Sequence, residues 1–113
     1  MHELSLAMEV IALAERETAT RGVASVSEIQ IEVGTLSGVE ADAFQWALEM
    51  LVRDSILDQA QVKIVRTPGT GNCLACQRDF EMSHRMATCP VCRCFPSEIR
   101  GGTEFRVVSL VVD

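Results

Sequence analysis

The sequence predicts an α/β (α+β) fold: two helices packed on a small three-stranded sheet, with a zinc-ribbon-like module inserted before the last strand. Three observations lead to this prediction. Apolar residues recur with helical spacing in two segments, and they alternate with polar residues in a third. All five cysteines lie in one segment that has no hydrophobic periodicity. The predicted order is helix, strand, helix, strand, insert, strand.

The length and composition limit the size and chemistry of the core. With 113 residues, the chain has room for one ordinary core and at most a small appendage. Hydrophobic residues make up 48% of the chain and aromatic residues only 4%, so we expect a core built mainly from aliphatic side chains.

The first predicted helix runs from Leu4 to about Arg21. Its apolar residues recur every three or four positions, as they do on one face of an amphipathic helix. They are Leu4, Ala7, Met8, Ile11 and Ala14. Gly22 follows the segment, and glycine is common just beyond the end of a helix. Because Met8 belongs to the apolar face, we expect its side chain to fill space in the core.

The first predicted strand contains Ile29, Ile31 and Val33, which alternate with polar residues. This spacing is typical of a strand with one buried face. Gly34 follows directly, so we expect the strand to end there. A second, shorter strand is predicted from Val62 to Arg66.

A second helix is predicted from Glu40 to about Ser55. Its apolar face consists of Phe44, Ala47, Leu48 and Leu51. Glu40 stands at the start of this helix, where a negative charge is favourable. Met50 is expected to fill space in the core, and Trp46 to pack there, with a docking surface as the alternative if Trp46 is exposed.

The rest of the chain contains the insert and the last strand. The segment from Thr67 to Asn72 is rich in glycine and predicts a turn-rich boundary. From Glu104 to Val112 both alternating sets contain apolar residues, which favours an inner strand. The expected domains are residues 1–67 with 103–113, and an inserted module of residues 68–102.

The cysteine spacing predicts a structural zinc site. Two CxxC pairs are separated by twelve residues, and each pair can present two sulfur atoms to one ion. Zn²⁺ accepts four thiolates in closed tetrahedral sites, and such a site supports a module with few aliphatic residues. The predicted ligands are Cys73, Cys76, Cys89 and Cys92. A redox-active CxxC remains the alternative, but such a motif normally lies at a junction between strand and helix.

Two further residues near these pairs are potential metal ligands. Cys94 follows Cys92 after one residue, a spacing that fits a CxxC turn poorly, so we expect a free thiol. His84 lies between the two pairs and is expected to be a solvated loop residue, with exchange into the metal site as the alternative.

The N-terminus offers a second set of metal donors. The amine of Met1, the backbone nitrogen of His2 and its imidazole Nδ1 can close two chelate rings on one ion. The amide nitrogen of Glu3 would complete a planar set of four nitrogens, which suits Ni(II) or Cu(II). Alternatively, a carboxylate of Glu3 or Glu40 completes a more open site. Taken alone, a histidine at position 2 is more commonly an exposed side chain.

Charge and hydropathy disfavour several classes of function. The net charge of −6 opposes binding to nucleic acid, whose phosphates attract clusters of Lys and Arg. No apolar run reaches the length that spans a bilayer, and the first residues do not resemble a signal peptide. We therefore expect a cytoplasmic protein without stable membrane insertion.

Several segments together resemble the HypA/HybF family of nickel-incorporation proteins. They are the start MHELSL, the segment IEVGTLSGVEADAF, the two spaced CxxC pairs and the closing GGTEFRVVSLVVD. The resemblance covers essentially the whole chain. It implies nickel ligands at Met1, His2 and Glu3, with Glu40 at an acidic position that is sometimes an added ligand, and zinc ligands at the four paired cysteines. Cys94 departs from the usual family pattern.

The resemblance also implies a function and a set of partners. A protein of this family is a metallochaperone without catalytic residues, which carries a structural Zn²⁺ and transfers Ni²⁺ during maturation of [NiFe]-hydrogenase. Its expected partners are a GTPase resembling HypB, the hydrogenase large subunit and possible urease accessory proteins, and it would be a monomer or homodimer. The alternative function is a zinc-ribbon adaptor that binds protein or RNA without nickel.

Overall fold

The computed structural model describes residues 2–113 and contains two helices and six strands. Met1 lies outside the described residues. In chain order the elements are α1 (His2–Thr20), β1 (Val26–Gly34), α2 (Ala41–Leu51), β2 (Gln61–Thr67), β3 (Gly69–Cys73), β4 (Arg78–Met82), β5 (Glu98–Gly101) and β6 (Phe105–Val112). The predicted α+β class and the order of its main elements are confirmed.

The first sheet has three strands in the order β2-β1-β6. β1 pairs with β2 in parallel and with β6 in antiparallel orientation, so that Ile31 lies opposite both Ile64 and Val107. The prediction that the last strand is an inner strand is wrong, because β1 occupies the centre and β6 forms an edge. Val108 and Val111 consequently remain close to half exposed.

The core of the first sheet lies beneath both helices. Ile29, Ile31 and Val33 point into it and are fully buried, as their alternation predicts. Full burial of such a side chain contributes about 1.5–3 kcal/mol. The core is mainly aliphatic, and its one fully buried aromatic residue, Phe44, meets Phe105 edge to face at 5.0 Å between ring centroids.

The buried face of α1 differs from the one expected. It consists of Ala7, Val10, Ala14 and Thr18, whereas Leu4 and Met8 are largely exposed. The hydroxyl of Thr18 is satisfied because it donates to the carbonyl of Ala14 at 2.7 Å. Periodicity identified the helix but not its buried face, because several apolar residues share the helical spacing.

The end of α2 and the packing of two of its side chains also differ from the prediction. The helix stops at Leu51, not near Ser55, because Ser55 donates from its backbone and its hydroxyl to the carbonyl of Val52 and closes a turn. Trp46 and Met50 are more than half exposed, so their expected core packing, like that of Met8, is wrong.

The second sheet lies within the predicted insert and has the order β4-β3-β5. Its central strand is formed by Gly69–Cys73, where the sequence predicted turns. A Cβ at Gly69 would come within 2.6 Å of the carbonyl oxygen of Met82, and one at Gly71 within 2.6 Å of the Met82 sulfur. Both positions therefore require glycine, because neighbouring atoms lie where a Cβ would be.

A small second core joins the two sheets. Leu36, in the loop after β1, packs with Phe80 and Met82 of the second sheet. The Leu36 amide donates to Gly102 at 2.7 Å, and the Arg85 guanidinium donates to the Leu36 carbonyl at 2.8 Å. The loop thereby fastens the insert to the first sheet, while the division of the chain into two domains stays a prediction.

No helix within residues 2–113 is long and apolar enough to cross a membrane.

The contact between the insert and the first sheet predicts that alanine substitution at two glycines of similar backbone conformation lowers stability by different amounts. Gly102 and Gly38 have φ values of +86° and +83°, but a Cβ at Gly102 would lie 2.5 Å from the Cα of Gly69, whereas one at Gly38 meets nothing within 4 Å. In urea unfolding, Gly38→Ala should cost only the left-handed backbone conformation, about 1–2 kcal/mol. Gly102→Ala should cost a further 1–3 kcal/mol, roughly the penalty of overpacking. Equal losses would contradict the close approach.

Candidate metal sites

The first candidate metal site lies at the end of β3. Cys73 is the last residue of that strand and Cys76 lies in the turn before β4, while Cys89 and Cys92 come from the segment that precedes β5. The four sulfur atoms lie within 4.8 Å of one another. Among residues 2–113, this is the one group of three or more His, Cys, Asp or Glu side chains placed closely enough for a metal ion.

The sulfur spacing fits a tetrahedral ion. The Sγ atoms of Cys73 and Cys92 are 3.5 Å apart, and those of Cys76 and Cys89 are 3.9 Å apart. Four Zn–S bonds of about 2.3 Å in tetrahedral geometry place sulfur atoms about 3.8 Å apart. All five cysteines carry free thiols, so no disulfide competes with metal binding. The site could hold Zn²⁺ with little rearrangement.

Both CxxC turns share a backbone feature that the sequence did not reveal. The residue after each pair, Gln77 or Arg93, adopts a left-handed conformation, with φ of +54° and +65°. Its amide donates back into the turn, to Leu74 at 3.3 Å and to Cys89 at 2.8 Å respectively. Glycine or asparagine would have signalled such a position, but glutamine and arginine do not.

The thiols of the cluster ionise unevenly. Backbone N–H groups of Cys92 and Val91 point at the Cys89 sulfur and lower the pKa of that thiol. The pKa of Cys76 is raised, chiefly because its thiol hydrogen-bonds to Cys92 and also because it is partly desolvated. Four thiolates at this spacing repel one another, so a divalent cation is needed to hold all of them.

Cys94 and His84 lie outside this group. The Cys94 sulfur is exposed and its nearest polar contact is the Cys92 carbonyl oxygen at 3.9 Å. His84 is an exposed loop residue whose Nδ1 accepts a hydrogen bond from the Met86 amide at 3.2 Å. The structure thus brings together the four cysteines that the spacing selected and neither of the two other potential ligands.

The second candidate site is the start of α1. His2 is its first residue, and the side chain is largely exposed, with Nε2 at 3.6 Å from a carboxylate oxygen of Glu3. The first amides of a helix have no partner within the helix, so the His2 and Glu3 nitrogens are not part of its hydrogen-bond ladder. Met1, whose amine is the remaining predicted donor, lies outside the described residues.

The two predicted acidic residues take part in helix-end contacts. The Glu3 carboxylate accepts from the Glu40 amide at 3.1 Å, which brings the starts of α1 and α2 together. This hydrogen bond, with a second from its own amide, lowers the pKa of Glu3 to about 2. The contact therefore stabilises the fold above about pH 4.5 and is lost as the pH falls toward about 2.

Glu40 is the N-cap residue of α2, as its position in the sequence suggested. Its carboxylate accepts from the Asp42 amide at 3.3 Å, which satisfies one of the unpaired donors at the helix start. The side chains of His2, Glu3 and Glu40 do not converge on one point as the four cysteines do. Pairing of Glu3 with the Glu40 amide has no signal in the sequence, because the two residues lie far apart in the chain.

Comparison with known proteins places this geometry in a family. Residues 1–112 match the family model described as "Hydrogenase/urease nickel incorporation, metallochaperone, hypA". The chain is 37% identical over 113 residues to Hydrogenase maturation factor HypA 2 of Bradyrhizobium diazoefficiens and to Hydrogenase maturation factor HypA of Albidiferax ferrireducens, and each alignment covers 100% of both chains.

The fold is also shared with solved structures. The solution structure of the nickel metallochaperone HypA from Helicobacter pylori matches with a TM-score of 0.66 at 23% identity, over 97% of this chain and 96% of that one. A second solution structure, of a HypA protein, matches with a TM-score of 0.67 at 24% identity, over 99% and 96% of the two chains. By its whole-length family match and its relatives, this chain belongs to the HypA family of nickel-incorporation metallochaperones.

Proposed function

We propose that this chain binds Ni(II) at its N-terminus and delivers it during maturation of [NiFe]-hydrogenase. The observation that carries the proposal is the family match over residues 1–112, which includes the first residues of α1. The nickel ligands are the Met1 amine, the His2 amide and imidazole, and the Glu3 amide. Planar nitrogen coordination of this kind suits Ni(II) and disfavours Zn²⁺, which prefers a tetrahedron.

The exposed position of His2 supports transfer of the ion. Its imidazole lies on the surface at the very start of a helix, where the helical hydrogen bonds do not hold the backbone amides. An acceptor can therefore approach the metal and replace its ligands one at a time. No catalytic group is needed, because nickel is the cargo and only its ligands change.

Glu3 and Glu40 have different parts in this proposal. The Glu3 carboxylate holds the start of α1 beside α2, while its backbone nitrogen ligates the ion. The Oε1 atom of Glu40 accepts from the Asp42 amide, so the second carboxylate oxygen, Oε2, is the atom that would serve as an added nickel ligand. His2 carries most of the affinity.

Zinc has a structural role in this proposal. Cys73, Cys76, Cys89 and Cys92 would hold Zn²⁺, which cross-links β3 to the segment before β5. A closed site of four thiolates leaves no position for a substrate, so the ion supplies rigidity and no chemistry. The proposed partners are those of the family: a GTPase resembling HypB, the hydrogenase large subunit and urease accessory proteins, all met in the cytoplasm.

Nickel titration of the untagged chain tests the proposed site. His2→Ala removes the imidazole from the chelate and should weaken Ni(II) binding at least about tenfold, or about 1.4 kcal/mol. An N-terminal extension should weaken it similarly because it converts the amine into an amide. His84→Ala, which changes the other histidine, should leave the calorimetric affinity unchanged. Equal nickel affinity in wild type and His2→Ala would refute the proposed N-terminal site.

Metal analysis of two cysteine variants tests the zinc ligands. Cys92→Ala removes one of four proposed ligands and should lose most of its zinc, together with the second sheet. Cys94→Ala changes a thiol two residues away that lies outside the sulfur group, so it should retain about one zinc per chain. Loss of zinc from Cys94→Ala, or its retention in Cys92→Ala, would refute this ligand set.

A further inference from the structure

Three large apolar side chains lie exposed around the sulfur cluster. Leu74 lies between the two cysteines of the first pair, Val91 lies between those of the second, and Phe95 follows the second pair. Their exposed fractions are 68%, 59% and 61%. Side chains of this kind normally contribute to a core, and a group of them held at one place on a surface is typical of an interaction site.

Hydrogen bonds hold the three backbones beside one another. The Leu74 amide donates to the Ser97 hydroxyl at 3.4 Å, two residues beyond Phe95. The Cys89 amide donates to the carbonyl of Cys94 at 2.8 Å, which places Phe95 next to the second pair. Contact between the sulfur atoms of the two pairs brings Leu74 and Val91 to the same end of the module.

Two exposed arginines without an ion pair lie at this end. In the pairing of β3 with β4, Arg78 lies opposite Cys73 at the cysteine end, whereas Met82 lies opposite Gly69 at the far end. Arg93 follows the second cysteine pair. Both arginines are exposed, and neither has an ion pair within the part of the chain that the structure describes. We call the surface of Leu74, Val91, Phe95, Arg78 and Arg93 the cysteine tip.

The acidic residues of the module do not neutralise the tip. Asp79 and Glu98 lie opposite Asn72, one residue from Cys73, but both are paired with a third arginine, Arg100, at 4.0 and 3.0 Å. Glu81 lies opposite Thr70, toward the far end of the same pair of strands. The cysteine tip is therefore apolar and positively charged on a chain whose net charge is −6.

We propose that the cysteine tip docks a segment of a partner protein that carries apolar residues flanked by Asp or Glu. The apolar side chains would cover Leu74, Val91 and Phe95, and the carboxylates would pair with Arg78 and Arg93. Charge complementarity of this kind accelerates docking and selects among partners. Two arginines and one aromatic ring are too few for single-stranded RNA, which is bound by basic grooves with several stacking side chains.

This inference rests on one part of the proposed function, the zinc site, which would hold the two CxxC turns together. It does not depend on nickel. His2 lies on α1 over the first sheet, so the docking surface and the cargo site belong to different parts of the fold. Docking through the tip leaves the N-terminus free to exchange its ligands.

Selection from a random library of displayed 12-residue peptides tests the proposal, with the zinc-loaded full chain as bait. The enriched peptides should contain at least two large apolar residues, with Asp and Glu enriched and Lys and Arg depleted. Their affinity should not change in His2→Ala. Zinc content is measured in every sample, because a chain that binds no zinc would refute the proposed zinc site, whereas a zinc-loaded chain that enriches no peptide would refute the docking site.

Variants of the tip show whether the selected peptide binds there. Leu74→Ser, Phe95→Ser and Arg93→Glu should each weaken binding at least tenfold in fluorescence anisotropy while retaining zinc. Met86→Ser is the matched control, because Met86 is 67% exposed in the same module but lies in the loop between the cysteine pairs, and it should change affinity less than twofold.

Three other results would overturn the inference. The enriched peptides could lack acidic residues, or bind the tip variants as well as the wild type. A single-stranded RNA of 20 nucleotides could bind more tightly than the selected peptides and be displaced by salt. Zinc-loaded wild type could also self-associate through the tip, with dissociation in Phe95→Ser but not in Met86→Ser, in which case a second copy is the occupant.

Discussion

Convergence of four cysteine sulfur atoms on one point is the constraint on which the second half of the fold depends. The second sheet buries only a few apolar side chains, chiefly Phe80 and Met82 with Leu36 from the neighbouring loop. A core of this size cannot offset the loss of backbone entropy on ordering the module. A metal ion held by the cysteines would supply the missing stabilisation by linking β3 to the segment before β5.

The first sheet, in contrast, is stabilised mainly by burial of its own apolar side chains. Its pattern of apolar residues therefore made it predictable. Ile29, Ile31 and Val33 alternate strictly, so both the existence of β1 and its buried face followed from the sequence. The buried face of α1 did not follow from the sequence, because Leu4 and Met8 share the helical spacing with Ala7 and Ala14, and periodicity does not reveal which set lies in the core. Likewise, no local signal shows that a strand as apolar as β6 lies at an edge.

The sequence did not predict the second sheet, because its central strand contains two glycines and glycine usually indicates a turn. Gly69 and Gly71 read as turn residues, yet they permit the close approach of Met82 and Leu36. The cysteine cluster was nevertheless predictable, since spacing alone selects the four cysteines whose sulfur atoms converge. At the N-terminus the sequence suggested the donors His2 and Glu3, while the contact of Glu3 with the Glu40 amide depends on tertiary structure.

In the proposed function, the two candidate sites would divide the work of a metal carrier between a structural and an accessible part of the molecule. Cys73 and Cys89 are buried and anchor the sulfur cluster within the second core. His2 lies exposed at a helix start, where ligands can be replaced. Leu36 and Arg85 fasten the two parts to each other.

X-ray absorption at the zinc and nickel edges of the same metal-loaded sample tests this division most directly. The account predicts about four sulfur neighbours at about 2.3 Å around zinc, and only nitrogen or oxygen neighbours around nickel. Sulfur in the nickel shell would contradict it, because nickel would then occupy the cysteine cluster and the N-terminus would not be the cargo site.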